Sequence, residues 1–359
     1  MSEVSLAALL PPVRILLLGF GSVAQSLLSL LAARSEWLGR ELGIRPLISG
    51  IGTRNQGFYV HPTGIAATML AEIADPAQFF RTQSHQVNDA QTFIQMGRIA
   101  QATLLIELTD LHPQDGQPAL SHIRFALQSG LHVITANKGP VAYGQIELEA
   151  LARRHGVQFR FEATVMDGLP LINLAQFTLQ AVQIISFRAL LNTTSTLVLS
   201  MIEQGYTRDE AIRNAQQLGV AEADPWYDLD GWDAAMKTAI LANNLLEGHI
   251  TPIMVKREGL RNLPNEDIFA AALAGASLRL VSRASRKQGI VIAEVKPERI
   301  EAEDVLYTTK TGRSTPSIIS LETEAMGTIT LIEHESLVNQ TAYGVLSDLI
   351  TIVRQRHAH

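Results

Sequence analysis

The stretch that decides the fold is Arg14-Ile-Leu-Leu-Leu-Gly-Phe-Gly-Ser-Val-Ala24. Arg14 to Leu18 is an apolar run of the kind a central parallel strand needs, buried on both faces. Ser22 to Ala33 then places Val23, Leu27, Leu28 and Leu31 at helical spacing. Between strand and helix, Gly19, Phe20, Gly21, Ser22, Val23 and Ala24 fit G-x-G-x-x-G/A with Ala24 in the third position. The first glycine permits the tight turn, the second lets backbone approach a pyrophosphate, and the small third residue lets helix and strand pack closely. The helix N-terminus supplies N–H groups and a positive dipole end to the phosphates. Glycines that merely turn the chain are the plainer alternative; the strand before and the helix after favour the nucleotide reading.

Outward from this motif, the first 140 or so residues alternate apolar runs with amphipathic stretches, the rhythm of βα units. Leu47 to Gly52, Thr103 to Thr109 and His132 to Asn137 read as strands, and Gln117 to Ser129 as a helix stopped by Gly130. After about residue 150 the rhythm changes. Gln158 to Val165 and Ile184 to Leu191 read as strands, Arg208 to Leu218 and Trp232 to Leu246 as helices. Strands are expected again at Ile290 to Val295, Ser317 to Glu322 and Thr328 to Glu333, and an amphipathic helix at Thr341 to Arg354. The expected fold class is α/β, a Rossmann dinucleotide-binding domain (residues 1–150) followed by an α+β catalytic and dimerisation domain (151–330). Residues 331–359 form a helix that returns to the nucleotide-binding domain.

Composition narrows the chemistry. The 359 residues are 47% hydrophobic and 18% charged, enough apolar material for large cores. A net charge of −6 without a dense Lys/Arg cluster argues against nucleic acid as the main partner. With no cysteine, disulfides, thiolate metal sites and a thiohemiacetal route to aldehyde oxidation are all absent. The N-terminus lacks signal-peptide architecture and no stretch reads as a membrane span, so a cytoplasmic protein with a small-molecule substrate is expected.

Three stretches carry candidate chemistry. Val220 to Lys237 (VAEADPWYDLDGWDAAMK) gathers Glu222, Asp224, Asp228, Asp230 and Asp233 ahead of Lys237. With a helix starting near Gly231, Asp233 and Lys237 are four apart on one face. A lysine held by carboxylates keeps its proton and can donate it; an ordinary surface ion pair satisfies the same spacing. Thr135 to Pro140 (TANKGP) follows a strand at the edge where α/β proteins bind ligands, making Lys138 a candidate beside cofactor and substrate, or simply part of a turn. Glu162 to Pro170 (EATVMDGLP) offers a carboxylate and a turn whose carbonyls suit a hard cation, or only a turn around a paired glutamate. At the end of the second strand, Gly52-Thr53-Arg54-Asn55 shows no acidic ribose ligand, and Arg54 suits the 2′-phosphate of NADP if it is not merely solvated.

Taken together these motifs resemble the homoserine dehydrogenase family from about Arg14 to Ile352. The pieces are GFGSVA, LIELTD (105–110), GQPAL (116–120), HVITANKGPVA (132–142), EATVMDGLP, EADPWYDLDGWDAAMK (222–237) and TAYGVLSDL (341–349). The resemblance implies hydride transfer between NAD(P)H and aspartate 4-semialdehyde, giving homoserine, on the route to threonine and methionine. It implies Lys237 as acid/base or polarising group, with Asp233 and Lys138 as catalytic partners. Glu222, Asp228, Asp233 and Thr194 would hold the substrate. Gly19, Phe20, Gly21, Ser22, Val23, Thr109 and Lys138 would hold the cofactor; Arg54, read from the end of the second strand, makes NADP favoured over NAD. It further implies a monovalent cation, Na+ or K+, at Glu162, Val165, Asp167 and Leu169, mostly through backbone carbonyls, and a homodimer. No catalytic zinc is indicated, and no regulatory ACT domain is expected to bring threonine feedback.

Two departures from the family pattern stand out. Asn192-Thr193-Thr194 replaces Asn-Gly-Thr, keeping the hydroxyl at Thr194 but losing a glycine. Glu333 to Gln340 (EHESLVNQ) replaces a glycine-rich loop. Both leave room for a related oxidoreductase acting on another amino-acid aldehyde or hydroxy acid, or for a cofactor-binding regulator without turnover.

Overall fold

The computed structural model describes residues 10–307, 315–334 and 337–356. Two compact units emerge. One takes the chain as far as Pro170 and again from Leu337; the other takes the described residues between. The first unit runs past residue 150, where the change of rhythm set the expected boundary.

The first unit is built on strands β1 (Pro12–Leu18), β2 (Arg45–Thr53), β3 (Gly57–Ala66), β4 (His85–Val87), β5 (Leu104–Glu107), β6 (His132–Thr135) and β7 (Phe159–Arg160), in the order β4-β3-β2-β1-β5-β6-β7. From β2 to β7 neighbours are parallel, whereas β3 and β4 run antiparallel. The βα rhythm does not anticipate β3, which folds straight back from β2. The Gln56 N–H bonds Thr53 Oγ1 at 3.0 Å to close that reversal, leaving Arg54 exposed within it. Strands β1, β5 and β6 are apolar and buried, and helix Ser22–Ala33 lays Leu27, Leu28 and Leu31 on them. The closing helix, Val338–Arg356, adds Ala342, Val345, Leu346, Leu349, Ile352 and Val353 to that same core.

The strand expected over 158–165 is a correction. Only Phe159–Arg160 is extended, and the chain then tightens into a 3-10 turn at Glu162–Thr164. The Glu162 N–H bonds Asp348 Oδ2 of the closing helix at 2.8 Å, and Thr164 Oγ1 donates back to the Phe161 carbonyl at 2.7 Å. Those local bonds replace a strand ladder.

The second unit carries β8 (Ile184–Leu190), β9 (Lys256–Arg257), β10 (Ser277–Lys287), β11 (Ile290–Ile300), β12 (Ser317–Thr323) and β13 (Gly327–Glu333), ordered β13-β12-β8-β10-β11-β9. All pairings are antiparallel except β11 with β9. Helices Thr193–Glu203 and Trp232–Leu245 are buried over most of their length. Among the described residues no helix is long and apolar enough to cross a membrane.

Candidate active site

In the first unit, the carboxyl ends of β1, β5 and β6 converge on the glycine loop. The Gly19 N–H bonds Gly52 O at 2.8 Å, and Leu108 N–H bonds Leu18 O at 2.7 Å, tying the loop to both neighbouring strands. Gly19 has φ +94°, and a Cβ there would fall 2.4 Å from the Leu108 carbonyl oxygen, so only glycine fits. Gly21 is exposed, and a Cβ on it would meet nothing within 4 Å. It precedes helix Ser22–Ala33, whose N-terminus is capped by no side chain. Open space in front of free N–H groups fits a dinucleotide pyrophosphate.

Beside this cradle lies a network that the sequence reading did not pick out. Glu107, at the end of β5, is fully buried; it accepts the Thr109 N–H at 2.9 Å, the Thr109 hydroxyl, and the Thr135 hydroxyl at 2.8 Å. Burial pushes its carboxyl above the ordinary glutamate range, and the Thr109 and Thr135 bonds oppose that shift. Thr135 Oγ1 accepts the Asn137 N–H at 3.0 Å. Asn137 donates to the carbonyls of Thr109 and Asp110 and accepts the Gly139 N–H at 3.0 Å, capping helix Lys138–Arg154. Thr109 and the half-buried Lys138, both expected at the cofactor, thus stand at one crest. A buried acid between two threonines shows in sequence only as LIELTD, where Glu107 looks like an interruption of an apolar run.

The second unit holds the acid–lysine cluster. Short helix Trp226–Leu229 stops at Asp230, and Gly231, at φ +81°, swings the chain into helix Trp232–Leu245. Arg257 donates to the Asp230 carbonyl, and Arg261 pairs with the Asp230 carboxylate at 2.7 Å, which fixes that corner. The corner sets Asp228 before the turn and Asp233 and Lys237 after it. Lys237 Nζ lies 3.1 Å from Asp233 Oδ2 and donates to the Leu191 carbonyl at 2.6 Å. Asn192, the N-cap of helix Thr193–Glu203, donates to Asp228 at 2.7 Å and to Asp233 at 3.0 Å. Thr194 is buried and donates to the Val220 carbonyl at 3.1 Å. Desolvation, followed by the charge of Asp233, raises the Asp228 carboxyl above its ordinary range; Asn192, Thr194 and Lys237 oppose it.

Asp228, Asp233, Lys237 and Thr194 are therefore brought together. Glu222 stands apart from that cluster among the described residues: its side chain is exposed, and its carbonyl accepts from Gln216 at 3.1 Å. Asn192 and the Leu191 carbonyl were not singled out as site members, though the capping Asn ahead of Thr-Thr-Ser was a readable signal.

Around Glu162, Val165, Asp167 and Leu169 the chain turns tightly, with Met166 at φ +57° and Asp167 at φ +47°. Asp167 Oδ1 accepts the Thr341 hydroxyl at 3.1 Å. Among the described residues no three His, Cys, Asp or Glu side chains gather as a metal site, so a cation here would depend on carbonyl oxygens. Of the altered 333–340 loop, residues 335–336 lie outside the described residues; Asn339 Oδ1 accepts the hydroxyl of Ser26 on the helix behind the glycine loop at 2.6 Å.

The family model for homoserine dehydrogenase matches residues 170–350. An NAD(+)-dependent homoserine dehydrogenase of Pseudomonas canavaninivorans is 35% identical over 94% of this chain and 96% of its own. A homoserine dehydrogenase of Methanocaldococcus jannaschii is 29% identical over 94% of this chain and 98% of its own. Among solved structures, a hyperthermophilic archaeal homoserine dehydrogenase mutant in complex with NADPH superposes with a TM-score of 0.79 at 26% identity, covering 96% of this chain and 98% of that one.

Proposed function

Because the chain belongs to the homoserine dehydrogenase family, we propose that Lys237, Asp233 and Asp228 form the centre at which it performs that family's reaction. The enzyme is an NAD(P)-dependent oxidoreductase that interconverts homoserine and aspartate 4-semialdehyde. The observation that carries the assignment is the lysine itself: its ammonium is held between the Asp233 carboxylate and the Leu191 carbonyl and stays only 20% exposed.

Bound NAD(P)H supplies the hydride to the aldehyde carbon. As that carbon is reduced, the carbonyl oxygen gains negative charge, and the Lys237 ammonium stabilises it and gives it a proton. In the reverse direction Lys237, uncharged, takes the hydroxyl proton of homoserine. Asp228 and Asp233 receive the substrate ammonium, Thr194 lends a hydroxyl, and Glu222 contributes a carboxylate from its exposed turn. On the nucleotide side, Gly19 to Val23 would take the pyrophosphate, and Thr109 after β5 and Lys138 after β6 would hold the cofactor alongside them.

NADP is the favoured cofactor. Its support is the end of β2, where no carboxylate follows Gly52 and Arg54 is exposed. A monovalent cation, Na+ or K+, at Glu162, Val165, Asp167 and Leu169 belongs to the same reading, supported by the two consecutive positive φ angles. A cytoplasmic homodimer completes it. Nicotinamide absorbance followed during homoserine oxidation, with NAD+ and NADP+ separately, tests both activity and preference. Absence of turnover with either would refute the assignment of the centre.

A further inference from the structure

The amide of Asn192 is fully committed. Its Oδ1 accepts the Ser195 N–H at 2.8 Å, and its Nδ2 gives one N–H to Asp228 Oδ1 at 2.7 Å and the other to Asp233 Oδ2 at 3.0 Å. The side chain is buried, and Asp233 Oδ2 is the same oxygen that meets Lys237 Nζ at 3.1 Å. We propose that Asn192 is a positioning residue for the reaction: it holds Asp228 and Asp233 side by side and loosens the hold of Asp233 on the Lys237 ammonium.

The residue type supports this. As a helix cap, Asn, Asp and Ser serve about equally well, so capping does not select Asn here. The second task does. Two neighbouring carboxylates repel, and one group with two N–H bonds and no charge relieves both without competing with the lysine. Asp at 192 would add a third negative charge, whereas Ser would keep the cap and reach neither acid. The N–H that lands on Asp233 Oδ2 also draws on the electron density that would otherwise hold the lysine proton. That leaves the proton easier to pass to a developing alkoxide. Asp228 faces Asp233 and Lys237 from helix Trp232–Leu245 and Asn192 and Thr194 from helix Thr193–Glu203. Asp230, close in sequence, is engaged by Arg261.

The inference rests on Lys237 as proton donor, and its test separates the two. Asn192→Ser in the full chain should keep the cap and stay folded, with a melting temperature lowered by the loss of two donors to the acid pair, while lowering kcat/KM for homoserine about 10- to 100-fold. The acid limb of its homoserine kcat/KM profile, set by the uncharged form of Lys237, should move to higher pH by roughly half a unit or more, because Asp233 then holds the lysine proton more tightly. Asn192→Asp, also a good cap, should move the limb further. Carboxyl carbon NMR of protein labelled at aspartate, with Asp228→Asn used to assign the resonance, reads the Asp228 titration separately and without turnover; it too should move to higher pH in both variants, because Asp228 has lost a donor. A midpoint that stays put in both variants overturns the proposal, whatever happens to activity. A wild type that oxidises no homoserine sinks the functional reading alone, and the carboxyl titration still decides the role of Asn192.

Discussion

Lys237 and Asp233 stand one turn apart on helix Trp232–Leu245 and meet at 3.1 Å, with only 20% and 8% of their side chains exposed. An exposed pair at this spacing would contribute a few tenths of a kcal/mol at most, about 0.3–0.5. This pair is largely withdrawn from water and anchored by a backbone carbonyl, which suits a proton donor better than a surface brace. Lys237→Ala and Asp233→Ala should each lower kcat/KM well over about tenfold, or roughly 1.4 kcal/mol, while the protein stays folded. Steady-state kinetics with a melting curve checks this. Lys237→Ala that keeps more than about a tenth of wild-type kcat/KM removes the lysine from the mechanism.

The two glycines of the phosphate loop should fail in different ways. Gly21→Val puts a side chain into space that no protein atom fills, so the fold should survive and NADPH binding should be lost. Gly19→Ala drives a Cβ into the Leu108 carbonyl at positive φ, so the loop itself should be destabilised. Fluorescence titration of NADPH beside thermal melting distinguishes them. Unchanged NADPH affinity in folded Gly21→Val would take this loop out of the cofactor site.

Arg54 lies exposed in the reversal between β2 and β3. A guanidinium there can fork onto a 2′-phosphate, with the gain trimmed by solvent and salt to about 1–2 kcal/mol, tenfold or somewhat more. Arg54→Ala should weaken NADP and leave NAD nearly unchanged, and added salt should erode the wild-type preference. Equal kcat/KM for the two cofactors, as an NAD(+)-dependent relative makes a pointed comparison, assigns Arg54 to solvent instead.

Glu107 makes stability depend on pH. Its folded carboxyl titrates above the ordinary value of 4.5, with burial the leading cause. The folded state therefore holds this proton more tightly than the unfolded chain does. That contribution is complete below pH 4.5 and is lost as pH rises through the raised folded value. Glu107→Gln keeps an acceptor for Thr109 and cannot ionise. Its melting temperature should gain on wild type as pH rises from the acid side toward neutrality. Parallel curves across that range would mean that the folded carboxyl titrates where the unfolded one does, with no net effect of burial.

Much of the fold was readable because its strongest signals are local. An unbroken apolar strand feeding G-x-G, and helix Trp232–Leu245 announced by Gly231, need no knowledge of the rest of the chain. Strand β10 was hidden because Arg279, Arg283 and Arg286 interrupt its pattern; Arg279 is 1% exposed and paired with Glu203 at 2.7 Å, a partner far away in sequence. Strand β3 was hidden because it breaks the βα alternation that identified its neighbours. The site divides in the same way. Asp233 and Lys237 share one helix and were visible by spacing, whereas Asn192 and Glu107 act through partners 36, 41 and 28 residues distant. The exposed position of Glu222 depends on the path of a turn, which spacing does not reveal.

The helix Val338–Arg356 has a consequence for how the protein is made. Its Val345, Leu346 and Leu349 belong to the core that also holds Leu17 and Leu27. On the ribosome, strands β1 to β7 wait with that core unfinished until Leu349 has emerged, whereas the intervening unit, Leu171–Ser336, is complete sooner. The usual order, in which the N-terminal unit folds first, is thereby reversed for the nucleotide-binding unit. Its unfinished apolar surface is exposed longest, and chaperone dependence or aggregation during synthesis should arise there first.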